Sequence, residues 1–277
     1  MQRKKFFSGL VFFGIVALAI FSGAEESQPF PSTNRMNENE NQFVPSADRI
    51  KAQVYFFEQR YQIQNVYEKL VDNYGDSHEN LYGTRNFREI LRGVLYRGGA
   101  NNKFNKYQKR NNTNPLQNHG LENLCEEGFA RAVYLYETNF DTAKKSVRCK
   151  SFTGESVSEN EFADDRQKLN NFAYQQLTAF DETNEEKFIK MIHDALTGKI
   201  ESPIYMHCWN GWHASGMVSA MALQQFCNWT PEHALNYWTQ NTDGNSSGYE
   251  KVKARIRGFK PYSAYKITAD MQRLVCR

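Results

Sequence analysis

The sequence predicts an α/β fold on the strength of three stretches. Residues 204–208, Ile-Tyr-Met-His-Cys, form a short apolar strand that runs into a tight loop containing Gly211 and then into a helix of small residues opening at Ser215 and Gly216. Leu121, Leu124 and Cys125 fall on one helical face, Gly128 ends that helix, and residues 132–136 follow as a strand. Helix, glycine and strand in succession are the repeating unit of α/β architecture. Residues 94–99, Val-Leu-Tyr-Arg-Gly-Gly, read as a strand closed by a glycine turn.

The remaining elements follow in chain order. Arg3, Lys4 and Lys5 precede a largely apolar run over 6–21, and Ser22-Gly23-Ala24 supplies a small-residue cleavage site before Glu25 and Glu26. Residues 1–24 are therefore expected to be a signal peptide, and the chain to be exported, periplasmic or extracellular; an uncleaved leader would anchor it in a membrane instead. After cleavage no stable membrane span is expected. Residues 25–47, rich in Asn, Glu, Ser and Pro, read as a disordered leader. A helical pattern over 47–73, with Val54, Phe57, Tyr61, Val66 and Leu70 on its apolar side, predicts an N-terminal helical extension over 48–89 and a main domain over 90–277. Residues 100–118, dominated by Asn, Lys and Gln, read as loop. Residues 137–170 read as a charged, irregular insertion carrying Glu155, Glu159, Glu161, Asp164 and Asp165. Residues 174–177 form a further strand. Thr183, with Glu186 three positions on, predicts a capping box for a helix whose buried face is Phe188, Ile189, Ile192 and Leu196 and whose end is Gly198. Thr230 caps another helix with Pro231 at its first position. The basic tail from Gly248 onward is helical in its last third.

Composition narrows the function. With 277 residues and 14% aromatics the chain can bury a sizeable core. It carries 34 basic and 31 acidic side chains; the leader holds three of the basic ones, so the mature chain balances at zero formal charge. Without a basic run, nucleic acid is not an expected partner. The five cysteines are an odd number for an exported chain, so at least one thiol is free, and Cys208 is the candidate. Cys125 with Cys149 is one candidate bridge, and connectivity stays open at this point. Neither Cys-x-x-Cys nor His-Glu-x-x-His spacing occurs, so no metal site and no cofactor are expected.

Cys208 sits where the chain leaves a strand and enters a helix. Backbone N–H groups and the helix dipole converge there, conditions that suit a thiolate nucleophile and an oxyanion ligand. A buried inert cysteine is the bland reading, set against His207, Gly211, Ser215 and Gly216 around it. This stretch resembles the phosphate-binding loop of the cysteine-dependent protein tyrosine and dual-specificity phosphatases: His-Cys, five residues, Arg, then Ser or Thr. Tyr96-Arg97-Gly98-Gly99 looks like the strand that opens many dual-specificity domains. The resemblance spans about residues 90–245 and implies a phosphatase-like sandwich with a central, mostly parallel sheet flanked by helices.

The resemblance further implies Cys208 as nucleophile, Asp181 as general acid and Ser215 as the hydroxyl that eases thiolate departure. Trp209, Asn210, Gly211, Trp212, His213 and Ala214 would form the oxyanion loop, supported by His207, with Arg97 structural. Each has a plainer reading. An Asp before a helix is favoured by the dipole alone, with Asp164 and Asp165 as weaker acids, and Ser215 suits a helix start. Trp209 and Trp212 either line a mouth for an aromatic or apolar ligand or pack the loop against its surroundings. The departure is Ala214, which stands where the family has its arginine and offers neither charge nor bidentate fork. His213, Arg255 and Arg257 are the candidates to replace it.

The expected function is an exported phosphatase-fold protein acting on a phosphorylated substrate or oxyanion ligand, as a phosphoester hydrolase of altered specificity or weak activity. The alternative is a non-catalytic pseudophosphatase that binds an oxyanion or a protein partner through the loop and its tryptophans. Thiol chemistry at Cys208, such as sulfur transfer or redox work, is a third reading, without a resolving cysteine nearby.

Overall fold

A computed structural model of the chain describes residues 46–75, 78–100, 114–152 and 167–277. The expected signal peptide, nearly all of the expected leader, most of the expected 100–118 loop, and Glu155, Glu159, Glu161, Asp164 and Asp165 lie outside the described residues. The elements are α1 (Ser46–Tyr61), β1 (Thr84–Leu91), β2 (Leu95–Ala100), α2 (Asn118–Glu126), β3 (Arg131–Tyr134), β4 (Ser146–Phe152), β5 (Gln167–Gln176), α3 (Glu185–Leu196), β6 (Ile204–Cys208), α4 (Ala214–Cys227), α5 (Pro231–Gln240), α6 (Glu250–Gly258) and α7 (Ala269–Val275). The architecture is α/β, as the sequence predicts. One six-stranded sheet runs in the order β1-β2-β6-β3-β5-β4. The pairs β2–β6, β6–β3 and β3–β5 are parallel, while β1 and β4 close the two edges antiparallel. Helices cover a parallel sheet on both faces, so its inner strands are buried throughout, as β2 and β6 are.

The sheet separates two cores. One face packs Ile204, Met206, Leu95 and Val133 against α3, α4 and α5 through Phe188, Ile192, Met217, Leu223 and Trp238. The other is aromatic: Phe57, Phe87, Tyr96, Phe129, Phe172 and Tyr205 crowd together with Leu121 and Leu124 of α2. Helix α4 is buried from Ala214 to Phe226. Its small residues, among them Ala214, Gly216, Ser219, Ala220 and Ala222, let it lie close to the strands on one side and to α5 on the other. No helix among the described residues is long and apolar enough to cross a membrane.

Several expectations are corrected. The helix read over 47–73 stops at Tyr61, where Gln62 turns left-handed at φ 52°. Beyond it, Asn65 Oδ1 accepts the Tyr67 N–H at 3.0 Å and Asp72 Oδ1 accepts the Tyr74 N–H at 2.7 Å. These local turns compete with helix hydrogen bonds. The sheet reaches back to Thr84, inside the segment read as helical extension, because β1 pairs with β2 from Thr84↔Ala100 to Leu91↔Leu95. The stretch read as an irregular insertion contains β4 and the start of β5, and β5 runs from Gln167 rather than from 174. The capping box at Thr183 does not form. Asp181 caps a short 3-10 turn, Glu182–Asn184, and α3 begins after it. The basic tail holds α6 as well as the expected C-terminal helix. The Thr230 cap is present, its hydroxyl accepting the His233 N–H at 3.2 Å, and Gly128 and Gly198 end α2 and α3 at positive φ.

Candidate functional site

The site is built at the carboxyl end of the parallel strands, where α/β sheets place ligands. β6 ends at Cys208, and the loop 209–213 leads straight into α4. Cys208 is 2% exposed and is the free cysteine among the described residues. The other four pair as Cys125–Cys149 and Cys227–Cys276. The first bridge is the candidate named from sequence. The Cys208 sulfur lies 3.4 Å from the Ser215 hydroxyl, so the pair is within hydrogen-bonding reach across the loop.

The loop's shape comes from what grips its carbonyls. The Trp209 carbonyl accepts the Ala100 N–H at 3.1 Å, and the Asn210 carbonyl accepts the Asn86 amide at 2.7 Å. The His213 carbonyl accepts the Trp238 indole N–H at 3.1 Å, and the Cys208 carbonyl faces His207 Nδ1 at 3.2 Å. In a trans peptide the C=O and the following N–H point in opposite directions. With these carbonyls held outward by the scaffold, the amides of Trp209, Asn210 and Ala214 are directed the other way. That is the orientation in which a run of N–H groups makes an anion-binding concavity.

Glycines let the loop lie on β2. Gly99 pairs with Asn210 in an antiparallel bridge. A Cβ on Gly211, itself at φ 74°, would fall 2.6 Å from the Gly98 carbonyl carbon and 2.7 Å from the Gly99 nitrogen. A Cβ on Gly99 would meet the Asn210 and Trp209 backbone at 2.6 Å. The Gly98-Gly99 pair that reads as a strand end in the sequence is therefore the bed of the cysteine loop.

His207 is fully buried between Tyr134, Tyr174 and Tyr205, whose rings stack on it at 5.2, 5.7 and 5.7 Å. Since the Cys208 carbonyl only accepts, Nδ1 carries the proton and Nε2 accepts from the Tyr174 hydroxyl at 2.9 Å. Burial pushes the imidazole down to about 3, against a weaker opposing effect of the Cys208 carbonyl. His207 is thus a buried, neutral imidazole packed beneath the loop.

His213 is also committed. Its Nε2 donates to the Asn245 carbonyl at 2.7 Å and its ring stacks on Tyr249 at 3.6 Å. Burial lowers its pKa, only partly opposed by that carbonyl. It does not supply the missing cation. Arg255 is held elsewhere, donating to the Ala179 carbonyl at 2.7 Å and pairing with Glu185 at 3.3 Å, and Arg257 is exposed on α6. None of the three candidates for the vacancy at Ala214 fills it.

The loop tryptophans turn outward. Trp209 donates to the Tyr134 hydroxyl at 3.2 Å and is 39% exposed, while Trp212 donates to Asp243 at 3.0 Å and lies against the Arg85 guanidinium. Trp212 packs the loop; Trp209, near Tyr136, remains at its mouth. Asp181 is exposed and spent on its cap, accepting the Thr183 hydroxyl at 2.7 Å and N–H at 2.9 Å. That hydroxyl, then that N–H, hold its carboxyl below the usual range, so it is ionised where a general acid needs a proton.

Sequence reasoning missed Arg85 and Tyr136. Arg85 lies on a strand whose charges hide it, and donates to the Asn210 side chain at 3.1 Å. Tyr136 follows β3 and is held protonated by burial first, then by its nearness to Cys208 and Tyr249. Among the described residues no cluster of His, Cys, Asp or Glu is placed to hold a metal ion.

No family profile matches the chain, and no characterised protein matches it in sequence. Among solved structures it is similar to the core catalytic domain of the PP-IP phosphatase SIW14 from S. cerevisiae in complex with citrate, at 12% identity over 65% of this chain and 88% of that one, TM-score 0.39. It is similar also to TpbA of P. aeruginosa, at 15% identity over 67% of this chain and 89% of that one, TM-score 0.38. At these identities and TM-scores the functional reading rests on the chain's own cysteine loop.

Proposed function

We propose that this chain is an exported protein of phosphatase-like fold whose cysteine loop captures a phosphate ester and hydrolyses it slowly. One observation carries the reading: a free cysteine at the strand end among the described residues, 3.4 Å from Ser215, inside a loop whose Trp209, Asn210 and His213 carbonyls are drawn outward. The nucleophile, the assisting hydroxyl and the amide cradle are together. In such a reaction Cys208 Sγ forms a bond to phosphorus as the ester oxygen leaves with a proton, and water then releases phosphate and restores the thiol. The charge at position 214 and a poised acid at Asp181 are what the set lacks. A missing oxyanion donor lowers turnover by about 100- to 1000-fold.

A second reading, a pseudophosphatase that binds an oxyanion or a protein partner without turnover, is favoured by Asp181 being ionised and committed to its cap. Two disulfides and the apolar leader support export to an oxidising compartment.

Turnover of an aryl phosphate by the mature protein decides between the readings. Weak, Cys208-dependent hydrolysis that rises at least about tenfold in Ala214→Arg is expected of a slow hydrolase. No turnover in either protein, with phosphate still bound, leaves the pseudophosphatase. Robust wild-type turnover would overturn the slow-enzyme reading.

A further inference from the structure

Three buried arginines at the β1–β2 edge of the sheet, next to the cysteine loop, have no acidic partner among the described residues. Arg85 and Arg88 of β1 oppose Gly99 and Arg97 of β2, so all three side chains leave the sheet on the face that α4 and α5 cover. Arg85 and Arg97 are 0% exposed and Arg88 is 1%. Among the described residues none of the three forms an ion pair with a carboxylate. The acidic group with an electrostatic influence on Arg88 is Asp243, which already binds Lys69 at 2.6 Å and the Trp212 indole at 3.0 Å.

Their neutral contacts leave donors over. Among the described residues Arg97 makes one long contact, 3.4 Å to the Asn241 carbonyl, and lies over the Tyr237 ring; its Nε and Nη1 have no partner there. The Arg85 Nε has none either. A guanidinium stays charged at neutral pH even when buried. Arg88 is lowered only to about 9, by burial first and then by Arg97. Buried charge normally carries an opposite charge beside it, because desolvation is otherwise uncompensated.

Two of these groups abut the loop itself. Arg85 holds the Asn210 side chain at 3.1 Å and faces the Trp212 ring at 5.5 Å. Arg97 Nη1 lies 2.6 Å from where a Cβ on Gly216 would stand, in the first turn of α4, one residue past Ser215. We infer that Arg85 and Arg97 supply from beneath the loop the positive charge that Ala214 does not, and that the counter-ion of this cationic floor is the oxyanion bound above it. The inference rests on the proposed oxyanion binding. Both arginines are positioning residues: they act through Asn210, Trp212 and the start of α4, and the ligand meets the backbone amides.

Sulfate binding to the mature chain, measured by calorimetry at low ionic strength, tests this. Arg85→Met should weaken binding by at least about tenfold, Arg85→Lys by no more than about threefold, and adding Ala214→Arg should restore affinity to Arg85→Met. A purely structural arginine predicts otherwise: Lys and Met variants lose binding alike and Ala214→Arg rescues neither, which overturns the proposal. Should Arg85→Met fail to fold, the side-chain Nε–H resonances of Arg85 and Arg97 in the wild type serve instead. Both should shift on sulfate addition, and unmoved resonances at saturation overturn the proposal. A wild type that binds no sulfate removes the proposed function and this inference together; binding that ignores the Arg85 substitutions removes this inference alone.

Discussion

Gly211 and Gly244 share a left-handed backbone, φ 74° and 82°, and differ in what surrounds them. Around Gly244 a Cβ would meet nothing within 4 Å, whereas at Gly211 it would drive into the backbone of Gly98 and Gly99. Gly244→Ala should therefore lose only the conformational term, about 1 kcal/mol. Gly211→Ala adds a backbone collision and should lose about 2–4 kcal/mol, with loss of sulfate binding. Urea unfolding of the two variants side by side checks this, and equal costs would mean that the loop does not rest on β2 as described. Both kinds of residue-level information were unequal in the sequence. The glycines, Cys208 and Ser215 were legible because their spacing is local. The commitments of Asp181, His213 and Arg255 were not, because each depends on particular partners: Thr183 close by, Asn245 at a distance, and Ala179 with Glu185 across the fold.

At the scale of elements, β6 carries a neutral histidine where three strands meet. Tyr134 of β3, Tyr174 of β5 and Tyr205 of β6 enclose His207. Its folded pKa, about 3, lies below the unfolded value of about 6.5. Below pH 6.5 the unfolded chain takes up a proton that the folded one refuses, so this stability is fully present above pH 6.5 and is lost as pH falls toward 3. The loss from His207 should be about 2 kcal/mol between pH 7 and pH 5. His213, lowered by burial, acts in the same direction. Urea unfolding at the two values should show the decline, and His207→Gln should remove about one proton from its slope; an unchanged slope would mean the imidazole is not buried neutral. The elements themselves were legible where periodicity was clean, as in β2, α2, β6 and α5. β1 escaped because Arg85, Arg88 and Glu89 break the apolar run of a strand that is nonetheless buried from end to end. β4 and β5 escaped because their polar residues, such as Lys150 and Asn170, look like a solvated insertion.

Over the whole molecule, the cysteines divide the chain's chemistry from its bracing. Cys125–Cys149 ties α2 to β4, and Cys227–Cys276 ties the end of α4 to the residue after α7. The first pairing was within reach of the sequence; the second was not, since nothing local says that the C-terminal tail returns to α4. Each closes a loop of tens of residues, worth about 3–4 kcal/mol in chain entropy under the simplest account. Cys208 stands apart from both bridges: it is 2% exposed and has no thiol partner among the described residues. Protein unfolded without reductant should therefore take up one iodoacetamide, at Cys208, and five after reduction. In the folded state the same thiol should label slowly, and saturating sulfate should slow it further by occupying the loop above the sulfur. Cys208→Ser should abolish labelling of the unreduced protein. A labelled Cys227 or Cys276 would show that the tail is not bridged to α4, and labelling of folded Cys208 that sulfate leaves unchanged would separate the thiol from the anion site.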